Sequence, residues 1–291
     1  MAQVRERRDE HQLYHAYSIE EDQARTNVHY EQPKEFFYGF TGGEWNVYSC
    51  NLWEEGFDDT RAQEAKLDLM ASLAGLRPGM RVLDVGCGWG GPLTYLCRRY
   101  DLCGVGLNLS PTQKLAADER IARHGVDAVV HTRHWAEFED PEPFDAIVTD
   151  EVIVHFNDLG GFFRKAHSLL RDGGRMVNKE LHLSHPRHAL LERGGEFVSA
   201  IYGDTGNYRT LAEELALTYD AGFDNEIVRH IPRRHYETTI DHWLANMFQN
   251  RESMVAASGE EHWRRFRIYL RLARRIQQNM TLDIVASRKI A

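Results

Sequence analysis

The stretch Val82-Leu83-Asp84-Val85-Gly86-Cys87-Gly88-Trp89-Gly90-Gly91 decides the fold. A short apolar strand, residues 81–85, runs into glycines at alternate positions and then into a helix over residues 92–100. Glycine lacks a Cβ, so the chain can turn sharply after the strand and let a ligand come close to the backbone. Asp84, Gly86, Gly88 and Gly90 are therefore candidate cofactor-binding positions. The spacing G-x-G-x-G is one residue short of the dinucleotide pattern, and the Lys-Ser/Thr of a phosphate-binding P-loop is missing. A nicotinamide site and a tight turn without a ligand are the alternatives.

Outward from this loop, strand and helix patterns alternate. Strands are predicted at residues 103–107, 127–130, 144–149 and 174–179, and helices at 60–76, 111–124 and 159–170. Ser110 is placed to cap the second of these helices. Such alternation predicts a mainly parallel sheet with helices on both faces, with ligands bound outside the carboxyl ends of the strands. Beyond His182 the rhythm changes to loops and helices, with one strand near 226–230. A basic helix over 260–278 and a last strand over 280–287 follow. The late strand can return to the sheet edge, and the segment between would cover the ligand crevice. Three regions result: an N-terminal helical and aromatic lid over 1–60, a core over 61–182, and a cap with the closing helix and strand over 183–291.

The chain has 291 residues, 42% of them hydrophobic and 27% charged, with a formal charge of −9. These are the proportions of a folded globular protein. The negative balance argues against nucleic acid, whose phosphates reward a basic surface. The charged N-terminus is no signal peptide and no run reaches membrane-spanning length, so a cytoplasmic protein without stable membrane insertion is expected. Four cysteines show neither disulfide nor zinc spacing. His182, His185 and His188 recur every three residues, but Pro186 interrupts them, so a polar loop is expected there rather than a metal site. Residues 1–25 are charged and read as an amphipathic or frayed helix. Residues 27–53 are dense in aromatics, either a lid over a ligand or a core-facing helix pair. Tyr30 and Phe37 are its candidate substrate contacts.

Several further motifs carry a resemblance. Tyr48-Ser49-Cys50, Ala62-Gln63 with Lys66-Leu67, Asn108-Leu109-Ser110 with Gln113, His235-Tyr236 with Thr239 and Trp243, and Tyr269-Leu270 accompany the glycine loop. Together they resemble the cyclopropane fatty acid synthase and mycolic acid cyclopropane synthase family, from about His29 to the C-terminus. The resemblance implies a Rossmann-like class I methyltransferase fold, α/β, with a mainly parallel seven-stranded sheet, an N-terminal helical lid and an inserted helical cap. It also implies S-adenosylmethionine as cofactor. Tyr48 and Ser49 would then touch its methionine end and Gly86 and Gly88 lie beneath it. Asn108, Leu109 and Gln113 would lie near the ribose and adenine, with Trp135 beside the adenine.

The same resemblance implies a bicarbonate ion held by a Cys, a Glu, a His and a Tyr, which takes a proton from the cation left when an alkene accepts a methyl group. Cys50 and Tyr236 match two of those ligands. The family's Glu-His pair reads Val154-His155 here, and its later His falls on Lys179, followed by Glu180. A cation still needs a base. Glu180 and Glu151, near carboxyl ends of predicted strands, are the candidates, with His155 as base or orienting partner; a salt bridge or helix cap is the plainer role for either acid. Lys179 would be unhelpful in a cationic pocket and is expected to point away or be neutralised. Arg233 and Arg234, just before Tyr236, are candidates for an anionic head group such as a diphosphate, or for a solvated turn. The later arginines on the 260–278 helix read as an exposed face.

The reading is a C-methyltransferase acting on an olefinic carbon of a small lipid-like substrate, such as a prenyl diphosphate, followed by deprotonation of the cation. A cyclopropane synthase on unsaturated acyl chains, an N- or O-methyltransferase and a non-catalytic binding protein are its rivals. A homo-oligomer is compatible with the sequence.

Overall fold

The computed structural model describes residues 18–190 and 207–290. Its centre is a seven-stranded sheet in the order β3-β2-β1-β4-β5-β7-β6. The strands are β1 (Arg81–Val85), β2 (Cys103–Asn108), β3 (Ala128–Thr132), β4 (Phe144–Asp150), β5 (Leu170–Leu183), β6 (Phe223–Ile231) and β7 (Met280–Lys289). The first five pair in parallel; β7 runs antiparallel between β5 and β6. The expected mainly parallel sheet is therefore present, and the late strand is its inserted antiparallel member rather than its edge.

Ten helices are described around the sheet: α1 (Ile19–Tyr30), α2 (Lys34–Thr41), α3 (Asp59–Ala74), α4 (Gly91–Tyr100), α5 (Pro111–His124), α6 (Leu159–Leu169), α7 (Leu211–Asp220), α8 (Arg234–Gln249), α9 (Arg251–Ser258) and α10 (Glu260–Ile276). Ser110 caps α5 as expected, its hydroxyl accepting the Gln113 N–H at 3.1 Å. Alternation along the strands divides the core. Val82 and Val177 face Leu67, Met70 and Ala71 of α3, whereas Leu83 and Met176 face Phe162, Phe163 and Ala166 of α6. A period of two sends neighbouring side chains to opposite faces.

A third apolar layer is aromatic. Phe36, Phe37 and Phe40 of α2 are fully buried among Trp243 and Met247 of α8, Met254 of α9, and Trp263 and Phe266 of α10. Of the two readings of the aromatic segment, the core-facing helix holds for α2. No helix among the described residues is long and apolar enough to cross a membrane.

Two expectations are corrected. Strand β5 continues past Lys179 to Leu183, because β7 pairs with it through that end. His182 consequently lies in a strand and not in a polar loop; it is buried against Glu214 and Asp283. His185 and His188 do sit beyond the strand, His185 in a bend and His188 in the short helical turn that follows. The charged N-terminus read as a helix over 1–25 is helical from Ile19; residues 1–17 lie outside the described part, as does the 191–206 portion of the expected cap.

Candidate active site

The strand order reverses between β1 and β4, the place where open α/β sheets hold their ligands. The glycine loop leaves β1 there. Gly86 has φ 82°, and a Cβ on it would collide with the side chain of Val152, which follows β4. The loop and the end of β4 therefore touch only because residue 86 is glycine. Gly88 has φ 53°, and a Cβ there would have no neighbour nearer than 4.0 Å, so its free side is open. Asn108 braces the loop by donating to the Gly88 carbonyl at 2.7 Å and accepting from Ser110 N at 3.0 Å.

Asp84, the next-to-last residue of β1, is buried, and its Oδ2 has no hydrogen-bond partner. Burial, with Asp150 nearby, pushes its carboxyl up to about 7. A buried acceptor without a donor is costly. A ligand carrying an ammonium or hydroxyl donors would remove that cost, and S-adenosylmethionine carries both. The open side of Gly88 and the unmatched Asp84 thus fit the expected cofactor. Gln113 is buried on α5 beside this loop, and Leu109 is half-buried, its carbonyl accepting from Gln23 of α1 at 3.3 Å. Trp135 packs against Phe156 and Phe162, and its indole N–H is buried without a partner.

The Tyr48-Ser49-Cys50 segment crosses the ends of β4 and β5. Ser49 Oγ donates to Asp150 Oδ2 at 2.7 Å and accepts from Lys66 Nζ of α3 at 2.6 Å. Lys66 also reaches Asp150 Oδ2 at 2.6 Å, and Lys179 Nζ reaches Asp150 Oδ1 at 2.9 Å. Both lysine side chains are wholly buried. Burial alone would raise the Asp150 carboxyl, but Lys179 and Lys66 hold it well below the usual range. Burial alone would lower the Lys179 ammonium, but Asp150 and Glu151 lift it well above its ordinary value. The expectation that Lys179 is neutralised is met, by two carboxylates.

Glu151 is the second of them. Its backbone sits at φ 57°, a left-handed conformation uncommon for a non-glycine residue, while its N–H continues the β4–β5 ladder by donating to the Lys179 carbonyl at 2.7 Å. Its Oε1 accepts the Cys50 backbone N–H at 2.8 Å and a hydrogen bond from Lys179 Nζ. Its Oε2 accepts the Tyr236 hydroxyl at 2.8 Å. Cys50 contributes its backbone here and not a thiolate: burial pushes its thiol up to about 12.

Glu180 lies elsewhere. It alternates with Lys179 along β5 and takes the opposite face, where its Oε2 accepts Val154 N–H at 3.1 Å and its Oε1 accepts Leu181 N–H at 2.8 Å. Burial, then the neighbouring Glu151, raise it to about 8. His155 meets the N-terminal helices, its Nε2 3.4 Å from the Tyr30 hydroxyl. Tyr48 is surrounded by the rings of Phe37, Phe40, Trp243 and Phe266. Phe37 is fully buried behind it, its ring tilted against Trp89, so it belongs to the aromatic wall and not to an open substrate surface.

The arginine pair is not brought together. Arg233 lines a cavity of about 240 Å³ with Tyr236, Ile231, Met280 and Leu282, and is 3.5 Å from Glu237. Arg234 lines a separate, open hollow with Trp53, Phe57 and His242. Consecutive residues at the start of α8 diverge because a helix turns by 100° per residue.

Three residues with no assigned role in the sequence reading prove central. Lys66 and Asp150 complete the buried ion cluster. Thr239 of α8 accepts from Asn51 N–H at 3.0 Å and from the Trp53 indole N–H at 2.9 Å, pinning the segment that carries Cys50. His235 adds a second pin by accepting Trp53 N–H at 3.0 Å. Lys66 and Thr239 were visible only as members of motifs, since nothing in their spacing says what they reach.

The comparisons with known proteins follow this geometry. The profile of the mycolic acid cyclopropane synthetase family matches residues 17–286. Cyclopropane mycolic acid synthase 1 of Mycobacterium tuberculosis is 31% identical over 264 residues, 85% of this chain and 90% of the relative. Methoxy mycolic acid synthase MmaA3 of the same organism is 30% identical over 269 residues, 85% and 89% of the two chains. The cyclopropane synthase MmaA2 of M. tuberculosis superposes with a TM-score of 0.85 at 26% identity, over 92% of this chain and 98% of the other. The mycolic acid cyclopropane synthase CmaA1, complexed with SAH and CTAB, does so with a TM-score of 0.84 at 27% identity, over the same shares. The glycine loop, the Tyr-Ser-Cys segment and the sheet order thus have one common explanation: this chain belongs to the mycolic acid cyclopropane synthetase family and is an S-adenosylmethionine-dependent methyltransferase.

Proposed function

We propose that the protein methylates an olefinic carbon of a small lipid-like molecule and that the resulting cation ends by losing a proton, giving a methylated alkene. One observation carries this reading: the space between Cys50 N–H and the Tyr236 hydroxyl is filled by a carboxylate of the chain itself, Glu151. A site that relies on a diffusible ion would leave that space open. S-adenosylmethionine supplies an electrophilic methyl group when bound. The chain's residues do the rest.

An alkene is a weak nucleophile, and the carbon next to the one that accepts the methyl is left with a positive charge. The aromatic wall of Tyr48, Tyr30 and Tyr236 offers electron-rich faces to such a charge. It also keeps water away, which would otherwise trap the cation as an alcohol. The buried cluster balances its own charge, with Lys66 and Lys179 against Asp150 and Glu151, so no bare ammonium faces the cation. The cavity beside Tyr236 has an apolar floor of Ile231, Met280 and Leu282 and a rim of Arg233, His230 and Gln277. This composition suits a lipid-like molecule with an anionic head, and Arg233 is the arginine proposed to meet it.

The relative CmaA1 was crystallised with SAH and CTAB, an apolar-chain ligand, which supports a lipid-like substrate class here. Mass spectrometry of products made from methyl-labelled cofactor and alkenyl substrates tests the reading. The expected product gains one methyl group and keeps its double bond. A cyclopropane, or a methylated nitrogen or oxygen, would replace this reading by one of its rivals.

A further inference from the structure

We propose that Glu151 is the base that ends the reaction, acting through its Oε2, and that Cys50 N–H, Lys179 and Tyr236 are the groups that aim it. This rests on the alkene methylation argued above.

A carboxylate offers about four acceptor sites, two on each oxygen. Oε1 of Glu151 uses both of its own, on Cys50 N–H and Lys179 Nζ. Oε2 takes only the Tyr236 hydroxyl and keeps one site for a proton. The three donors come from three separate elements: the segment before α3, strand β5 and helix α8. They fix the plane of the carboxylate as well as its position. The side chain starts at the strand-order reversal, directly before the Val152 that rests on Gly86. It is therefore attached next to the cofactor loop, and Tyr236 joins it to the cavity beside β7.

The backbone adds a second argument. Glu151 holds φ 57°, a conformation that glycine adopts freely and that a side-chain-bearing residue adopts at a cost. Asn46 and Asp101 share this backbone region; Glu151 differs in that its carboxylate is held there by three donors from other elements. Glu180 lacks these properties. Each of its oxygens accepts one main-chain N–H, which ties it to the backbone at Val154 and Leu181, and it points to the other face of β5, away from the donors that hold Glu151.

The step balances without a further reagent. The alkene carbon that receives the methyl leaves its neighbour cationic. Glu151 Oε2 takes a proton from a carbon adjacent to that cation, and the C–H electron pair becomes the new double bond. The carboxylate becomes a carboxylic acid and returns its proton to solvent before the next turnover. Lys179 and Tyr236 act through Glu151 and are positioning residues.

Glu151→Gly tests this, since glycine suits the local backbone and Asp150 still pairs with both buried lysines; thermal melting checks that the fold survives the lost charge. The variant should lose roughly 10²- to 10⁴-fold in turnover, the usual reach of a general base. What product remains should spread into alkene isomers and water-trapped alcohol, because the cation has lost its defined base. Removing the side chain also empties a small space lined by three donors. Formate should bind there, measured by calorimetry on the protein without substrate, and should restore both turnover and a single product. Formate should do neither to Glu151→Gly carrying Lys179→Met as well, if that double variant melts cooperatively. A folded Glu151→Gly that keeps turnover within about tenfold of the wild type, or neither binds formate nor responds to it, overturns the assignment. A cyclopropane from the wild-type protein would instead overturn the functional reading, and formate binding to Glu151→Gly distinguishes the two failures.

Discussion

Strand β5 carries two buried polar clusters back to back, and they differ in what they leave available. On the α3 face, Lys179 joins Lys66, Asp150, Glu151 and Ser49. On the α7 face, Asn178 donates to Glu214 at 2.7 Å, and His182 sits between Glu214 at 2.5 Å and Asp283 at 3.3 Å. Both clusters offset charge in the interior, where an unpaired ion is expensive. The second runs from Glu214 through His182 to Asp283, which also pairs with His230 at 3.1 Å on the rim of the cavity beside β7, and Glu180 beside it holds two backbone donors. The first borders the glycine loop and ends on Tyr236, a half-buried residue lining a cavity. Two acidic residues close to one another in the sheet can thus serve different ends. Glu151 is presented to a ligand space, whereas Glu180 is raised to about 8 and held by the fold.

Four substitutions would break or sharpen this contrast. Lys179→Met has the largest expected effect. It leaves Asp150 and Glu151 with Lys66 as the one remaining lysine of the cluster, and breaking such a buried arrangement costs about 3–5 kcal/mol. Denaturant titration measures this, and a loss below about 1 kcal/mol would show that the α3-face cluster is not balanced as described.

His182→Gln comes next, at about 2 kcal/mol, since hydrogen bonds to two charged groups are weakened. This cluster also predicts a pH dependence. Burial would lower the His182 imidazole, but Asp283 and Glu214 raise it from 6.5 to about 10. The folded state therefore binds a proton that the unfolded state releases between those values. The contribution is fully present below pH 6.5 and is lost as the pH rises through about 10. Melting temperatures across that window should fall more steeply for the wild type than for His182→Gln; parallel curves would place the alkaline loss elsewhere.

Tyr236→Phe should be milder. It removes one donor to Glu151 and lowers kcat by about tenfold, or about 1.4 kcal/mol, with cofactor affinity unchanged. A change confined to KM would make Tyr236 a wall residue. Glu180→Gln should matter least to turnover, keeping it within about tenfold, while stability falls by about 1–3 kcal/mol because the amide oxygen can accept only one of the two backbone N–H groups. A collapse of turnover with the fold intact would transfer the role of base from Glu151 to Glu180 and erase the contrast.

Much of the sheet was legible in residues 81–183. The reason is local: period-two apolar runs, a glycine loop and a serine cap report on their own neighbourhood. Strand β5 was read too short because Glu180 and His182 look like the start of a polar loop. Only pairing with β7, a hundred residues later, makes a buried strand of them. Phe37 shows the same limit from the apolar side. An aromatic residue near a site reads equally as wall or as contact until the helices behind it are in place.

The sequence alone determined the fold class, the cofactor loop and the family, because each depends on residues close together in the chain or on motifs that survive divergence. It also named both acids. Only the tertiary structure decided between their surroundings. Cys50, Glu151, Lys179 and Tyr236 lie on four different segments, and whether their donors meet on one carboxylate depends on register and helix placement. A one-residue step along β5 separates Lys179 from Glu180, and the pleat sends them to opposite faces of the sheet.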